Sequence, residues 1–399
     1  MMKEGGWAEM IKPSLVSLLL ILFFLLIPAE QSFAEVSHPT GPEPLMENID
    51  FRELNEYWSS IVREYGGYLP ELKQMNIKEM AEQTSEVTIT DWLTGFLKYF
   101  FHELIANGKL LGSLIFLTLF ITVLQTLQSA FEQTAVSKVA YMIVYLVLIM
   151  LALNSFHLAV SYTSDAIDAM SAFIIGLLPL LLGIMATFGH MVSLSFFHPI
   201  IIFLIQVSGV LIAKVILPLF YLSALLLMTS SLTDKYKVDQ LAQLLRNVGL
   251  GLLGTFLTIF LGVISVQGAA TAIQDGVAMK TARFVTGNFV PVIGRLFTDA
   301  TDTVLGASLL LKNTIGLAGV IIVIGLALFP ALKVLAIALT FKIAAAVLQP
   351  IGSGPVVTCI SIISKHILYI FACLLTVTFM FFLLIAILVA SSNLTMMVR

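Results

Sequence analysis

Lysine side chains lie inside long apolar stretches of this chain, where a charge is costly and often functional. Lys214 and Lys333 each separate two apolar segments. A cation placed so deeply lines a water-filled conduit, pairs with a carboxylate, or extends its ammonium group to the lipid headgroups. Both lysines are equally compatible with a conduit and with headgroup contact, whereas Lys342 is predicted to reach the headgroups. The candidate ion-pair partners are Asp275, Asp299 and Asp302.

Prolines and glycines interrupt the same apolar stretches. Proline has no backbone N–H, and broken backbone at membrane depth is tolerated only inside protein or beside a watery cavity. Pro179 and Pro218 recur as Pro291 and Pro330 at an offset of 112 residues. This offset suggests a tandem repeat of residues 139–247 and 248–350, with chance similarity of apolar segments as the alternative. A repeat would place paired breaks around a central site. The candidate conduit or helix-break residues are Lys214, Pro218, Lys333, Pro330, Gly176, Pro179, Gly287 and Pro291.

Motifs for enzymatic chemistry are missing from the sequence. His102-Glu103 resembles the start of a zinc-protease HExxH helix, but the position of the second histidine is Ala106. No phosphate-binding loop, nucleophile elbow, catalytic carboxylate pair or ligand-spaced His/Cys cluster is present. Cys359 and Cys373 lie among apolar residues and are predicted to behave as small core hydrophobes. We therefore predict a protein that is not an enzyme and that has no catalytic, cofactor-binding or metal-binding residues.

The composition requires lipid as the main solvent. Hydrophobic residues form 59% of the 399 residues and charged residues 11%, against about 45–50% and about 25% in soluble domains. The charges are uneven: 13 acidic and 6 basic residues between Glu35 and Lys109 give a net charge of −7, and 8 acidic and 13 basic residues thereafter give +5. No basic block suggests nucleic-acid binding. The chain is predicted to be an all-α, polytopic membrane protein.

Residues 1–34 have the pattern of a secretory signal peptide. Lys3 and Lys12 provide a basic start, Leu15–Ile27 is an apolar core, and Ser32-Phe33-Ala34 fits a small-residue cleavage site. The alternative is an uncleaved first helix that serves as an anchor. On the main interpretation the mature chain begins outside the cytoplasm.

Residues 35–107 are predicted to form an extracytoplasmic acidic helical segment. Apolar residues recur at helical spacing between Asn48 and Tyr65, in a module too small for a core of its own, so the module is expected to dock on another part of the protein. The aromatic face of residues 92–105 is typical of an amphipathic helix in the membrane interface.

Residues 108–399 are predicted to form a membrane domain of about 7–9 spans, some interrupted or re-entrant. A helix crosses the hydrocarbon in about 20 residues. Pro199–Ser231 is too long for one upright crossing, and with Lys214 and Pro218 near its middle it is predicted to fold into a hairpin. The candidate spans are Leu110–Leu127, Val139–Val160, Ser171–Phe188, Pro199–Ser231, Val248–Val266, Thr314–Phe329, Ala331–Leu348 and Ile367–Ala390.

This architecture resembles the stage III sporulation protein AE family of endospore-forming bacteria. The features that carry the resemblance are the signal peptide ending Ser32-Phe33-Ala34, the acidic segment with Trp58 and Trp92, and the apolar C-terminal helix. Three further stretches complete it: Gly176-Leu177-Leu178-Pro179, Val290-Pro291-Val292-Ile293-Gly294 and Pro350-Ile351-Gly352-Ser353-Gly354-Pro355.

The resemblance implies a multi-pass protein of the mother-cell membrane around the forespore. It implies partners among the other stage III sporulation membrane proteins, including a secretion-type ATPase and ring-forming subunits. The expected function is that of a non-enzymatic subunit of a transenvelope channel or secretion-like complex that late forespore development needs. The alternative is an autonomous secondary transporter for a small solute, which the repeat and the intramembrane lysines would favour.

Overall fold

The computed structural model describes residues 52–68, 89–130, 135–187, 191–231, 237–289, 293–350 and 354–397. Every regular element in these ranges is a helix, which confirms the all-α class. The predicted signal peptide of residues 1–34 lies outside the described residues. The α-helices are α1 (Arg52–Tyr65), α2 (Ile89–Ala106), α3 (Gly108–Ala130), α4 (Ala135–Thr187), α5 (Met191–Leu211), α6 (Leu217–Ser230), α7 (Asp239–Phe289), α8 (Ile293–Leu348) and α9 (Pro355–Met397), and a π-helical segment, Ile212–Ile216, joins α5 to α6.

Six stretches of the described chain are long and apolar enough to cross a membrane. They are Leu93–Thr126, Val139–Gly183, His198–Ser230, Asp239–Gln267, Thr314–Leu348 and Pro355–Ala390. Each exceeds the roughly 20 residues of an upright crossing. Two pairs of spans that the sequence analysis separated merge, because α4 has 53 residues and α8 has 56. At 1.5 Å per residue these two helices are about 80 Å long, so a bilayer covers only part of each in an upright orientation.

The predicted hairpin at Pro199–Ser231 is wrong. The chain continues from α5 through the π-helical segment into α6, and the flanking Leu211 and Leu217 have right-handed helical dihedral angles. The Leu217 N–H donates to the Ile212 carbonyl, five residues back. Pro218 has no N–H to donate to the carbonyl four residues earlier, and the wider π turn accommodates this loss without a chain reversal.

Helix breaks predicted at other prolines are also not observed. Pro179 lies inside α4 together with Gly176, and Pro330 lies inside α8. Gly287 falls within the helical backbone of α7, and Pro291 lies outside the described residues. Neighbouring helices can compensate for a proline inside a membrane helix, so a proline in an apolar run does not by itself predict a turn.

Glycines permit close approach at a few helix contacts. The most extensive packing is between α8 and α9. A Cβ atom at Gly319 would lie 2.8 Å from Leu177 Cδ2 of α4, and one at Gly249 would lie 2.7 Å from Phe220 Cε1 of α6. A Cβ at Gly251, Gly254 or Gly262 would meet nothing within 4 Å. Glycine frequency in an apolar helix therefore overstates how many glycines serve close packing.

The short helix α1 docks on the membrane domain, as its size predicts. It packs against α8 and α4. Its buried side chains recur at helical spacing, and its opposite face is polar and exposed. The buried residues are Leu54, Trp58, Ile61 and Tyr65. In α2 the buried side is centred on Tyr99, whereas Leu97, Phe101 and Ile105 are exposed, as lipid-facing residues would be.

Candidate functional site

Helix α1 places a carboxylate and an aromatic ring against the middle of α8. Gly325 permits this approach, because a Cβ atom there would lie 3.1 Å from Ile61 Cδ1 of α1. One and two turns further along α8 are Phe329 and Lys333. The last two residues of α1, Glu64 and Tyr65, lie beside them. A glycine, a phenylalanine and a lysine at spacing four thus form one face of α8, on which α1 rests.

Lys333 has an ion pair and two aromatic rings around its ammonium group. Its Nζ lies 3.6 Å from Glu64 Oε1, 5.7 Å from the centroid of the Tyr65 ring and 5.4 Å from that of the Tyr162 ring of α4. The Lys333 side chain is 22% exposed and that of Glu64 60%. Because Glu64 is largely solvated, the rings contribute more than the Coulomb pair to holding Lys333. We call Lys333, Glu64, Tyr65 and Tyr162 the Lys333 cluster.

An aromatic stack supports the Lys333 cluster. Tyr65 and Phe329 are stacked, with ring centroids 3.9 Å apart and an interplanar angle of 4°. Tyr99 of α2 meets both rings edge-on, at 5.6 Å from Tyr65 and 5.1 Å from Phe329. Burial, and secondarily the neighbouring Glu64, raise the pKa of Tyr65 well above its usual value, so its hydroxyl is neutral at physiological pH. The stack joins α1, α2 and α8 at one point.

Lys214 has very different surroundings. It lies in the π-helical segment, and its side chain is exposed on the surface of the domain. No described carboxylate lies within ion-pair distance of it. Pro218, one turn further on, is also exposed. The conduit role predicted for Lys214, Pro218, Lys333, Pro330, Gly176 and Pro179 stays a prediction. For Lys333 the structure adds a partner, Glu64, that differs from Asp275, Asp299 and Asp302.

A buried polar contact between three helices escaped the sequence analysis. Ser223 Oγ of α6 lies 2.7 Å from the Ala242 carbonyl oxygen of α7 and 3.0 Å from His366 Nε2 of α9. His366 Nδ1 is 2.9 Å from the Ile362 carbonyl oxygen, which suits Nδ1 as the proton donor. Among the described residues no carboxylate orients the ring as a nucleophile–base pair would require. With Nδ1–H as donor, Nε2 accepts, so the one Ser223 hydroxyl proton alternates between Nε2 and the Ala242 carbonyl oxygen, and the contact joins α6 to α7 and α9.

The described side chains offer little for metal or thiol chemistry. No group of three or more His, Cys, Asp or Glu residues within the described part of the chain is arranged to hold a metal ion. Cys359 and Cys373 are free thiols and fully buried, which confirms the prediction that they behave as core residues.

These features define a polytopic helical membrane protein with a short polar helix docked on its apolar domain. The family profile of the stage III sporulation protein AE matches residues 71–392, and the chain belongs to that family. It is 54% identical over 352 residues to the Stage III sporulation protein AE of Bacillus subtilis (strain 168), a match covering 88% of each chain. No solved structure matches this chain.

The family assignment connects the protein to sporulation. The family profile begins at residue 71, after the end of α1. Lys333, Phe329, Tyr162 and Tyr99 therefore lie within the matched region, whereas Glu64 and Tyr65 precede it.

Proposed function

We propose that this chain is a non-enzymatic membrane subunit of a transenvelope channel or secretion-like complex between mother cell and forespore, needed for late forespore development. It resides in the mother-cell membrane that surrounds the forespore. Its partners are other stage III sporulation membrane proteins, among them a secretion-type ATPase and ring-forming subunits. Membership of the sporulation family supports a role in sporulation. The docking of α1 on the membrane domain supports the role of a subunit.

The observation that carries the proposal is the orientation of α1. Its apolar side is covered by α8 and α4, while Glu56, Ser59 and Arg63 remain exposed. A solute carrier has no evident need for a charged helix fixed on its surface, but a subunit of an assembly needs a rigid polar surface for its neighbours. If residues 1–34 are a signal peptide, this surface lies outside the cytoplasm, between the two membranes.

The test is an affinity purification of the tagged protein from sporulating cells in mild detergent, with the recovered proteins identified by mass spectrometry. Wild type is expected to bring down an ATPase and ring-forming sporulation proteins. The double charge reversal Glu56→Arg with Arg63→Glu should reduce their recovery and the yield of heat-resistant spores, because charge complementarity sets partner choice.

Lys237→Glu is the matched control, since Lys237 is also exposed but lies before α7. It should leave recovery unchanged. Wild-type protein recovered alone, in a detergent that preserves a known membrane complex, would contradict the proposal and support the autonomous transporter instead.

A further inference from the structure

The outer face of α4 carries a polar stripe in the middle of an apolar span. Asn154, His157, Asp165 and Asp168 are exposed, with Ser161 partly so, and they recur every three or four residues along one side of the helix. The only hydrogen bond among their side chains is from Ser161 Oγ to Asp165 Oδ2, at 3.2 Å. Neither aspartate forms an ion pair with any described residue. The span around them runs from Val139 to Gly183.

Lys214 lies at the same height in the domain as these aspartates. Helices α4 and α5–α6 are antiparallel neighbours, as shown by Tyr145 Oη at 2.8 Å from Ser231 Oγ and the Phe156 and Tyr221 rings at 5.4 Å. When this register is continued along both helices, Lys214 falls within one turn of Asp165, a separation of roughly 5 Å along the axis at 1.5 Å per residue.

Both signs of charge are thus exposed and midway along apolar helices, and neither has an ion-pair partner among the described side chains. Such charges in a bilayer are normally paired or face an internal polar surface. All copies of a membrane protein insert with the same orientation, so Lys214 of one copy and Asp165 and Asp168 of another lie at equal depth. The positive and negative side chains also lie on adjacent helices. The surface that α4 and α5–α6 form together is therefore complementary to the same surface of a second copy.

We propose that two copies of this chain associate in the membrane through α4 and α5–α6, with Lys214 of each facing Asp165 and Asp168 of the other. The contact is isologous, so a dimer contains two equivalent charge pairs. The π-helical segment that carries Lys214 belongs to this interface, in keeping with the frequent occurrence of π-bulges at functional positions. The proposal does not depend on the sporulation complex, because self-association is measured on the chain alone.

Cysteine cross-linking in native membranes tests the contact. The two natural cysteines are fully buried, so they should not form disulfides that compete with the introduced pair. Copies with Lys214→Cys and copies with Asp165→Cys, differently tagged and coexpressed, should form a mixed disulfide on mild oxidation. The control pairs Lys214→Cys with Met142→Cys, also exposed on α4 but roughly 35 Å along the helix from Asp165. We expect the first pair to cross-link about tenfold more than the control, and equal yields would overturn the proposal.

Exchanging the charges tests the contact in a second way, because a substitution that only destabilised the fold would not be rescued by the opposite substitution. In detergent extracts containing two tagged forms, Lys214→Asp should reduce copurification of one form with the other, and Asp165→Lys with Asp168→Lys should do the same. All three changes together should restore it. If Lys214→Asp leaves copurification unchanged, Lys214 contacts headgroups. If the combined variant does not restore copurification, Lys214 has a different partner. Either result refutes the dimer contact.

Discussion

Lys333 and Lys214 have similar sequence contexts but very different environments in the structure. Each lies in a long apolar helix within four residues of a proline. Lys333 is 22% exposed and is held by Glu64, Tyr65 and Tyr162, whereas Lys214 is exposed, without a described carboxylate in reach.

The difference comes from a helix far away in the sequence. Helix α1 brings Glu64 and Tyr65 to α8, whereas no described segment brings a carboxylate within ion-pair distance of Lys214 in the π-helical segment. A lysine inside an apolar span is therefore satisfied within the chain when another segment delivers a partner, and it is available for an external partner when none does. Substitutions that change the surroundings of one lysine at a time separate these two cases.

The largest effect is expected from Tyr65→Ala. Tyr65 is 7% exposed and touches Phe329, Tyr99 and Lys333, and truncating a buried aromatic residue costs about 3 kcal/mol or more. Because α1 opens locally, tryptic cleavage after the exposed Arg63 should accelerate about a hundredfold. The rate is measured by mass spectrometry of the released fragments.

Tyr65→Phe is the control for this experiment. It keeps the stacked ring and removes only the hydroxyl, so cleavage after Arg63 should stay close to the wild-type rate. Equal acceleration by both variants would show that the hydroxyl, and not the ring, anchors α1.

A smaller effect is expected from Lys333→Ala. The change removes two cation–π contacts, each worth about 0.5–1 kcal/mol at a site that solvent reaches, and an ion pair that contributes little because Glu64 is 60% exposed. Cleavage after Arg63 should rise roughly five- to thirtyfold. Lys342→Ala is the matched control, since Lys342 is exposed on the same helix, and it should change the rate less than about twofold. Equal effects of the two variants would show that Lys333 does not contribute to the docking of α1.

The sequence predicted the class of fold but not the partners of its charges. Composition alone indicates helices in lipid, and the small size of the acidic segment correctly predicts that α1 docks. The candidate ion-pair partners of the intramembrane lysines were Asp275, Asp299 and Asp302, whose side chains lie outside the described residues; the described partner of Lys333 is Glu64, which only tertiary contact brings to it. Likewise Lys214 and Pro218 suggested a hairpin, although a change in helical pitch satisfies the backbone without reversing the chain.

The change in pitch agrees with the spacing of the buried residues around it, which the nearly uniform apolar sequence does not reveal. Buried residues recur every four positions along α5, the π-helical segment and α6, namely Ser208, Ile212, Ile216, Phe220, Ala224 and Met228. In an α-helix of 3.6 residues per turn, each step of four overshoots a full turn by about 40°. A wider π turn offsets part of this drift and returns the buried residues to one side. Packing on both sides of the segment, and not Pro218 alone, then selects the π geometry.

The smallest effect is accordingly expected from Pro218→Ala. The substitution restores a backbone donor, but rewinding the segment as an α-helix would rotate Ile212 away from the core relative to Phe220. The thermal unfolding midpoint in detergent should shift by an amount equivalent to less than about 1 kcal/mol. The mixed disulfide between Lys214→Cys and Asp165→Cys copies should form as it does with proline present. If the disulfide disappears while the protein remains folded, proline alone maintains the π turn, and the four-residue spacing of buried side chains does not explain where Lys214 points.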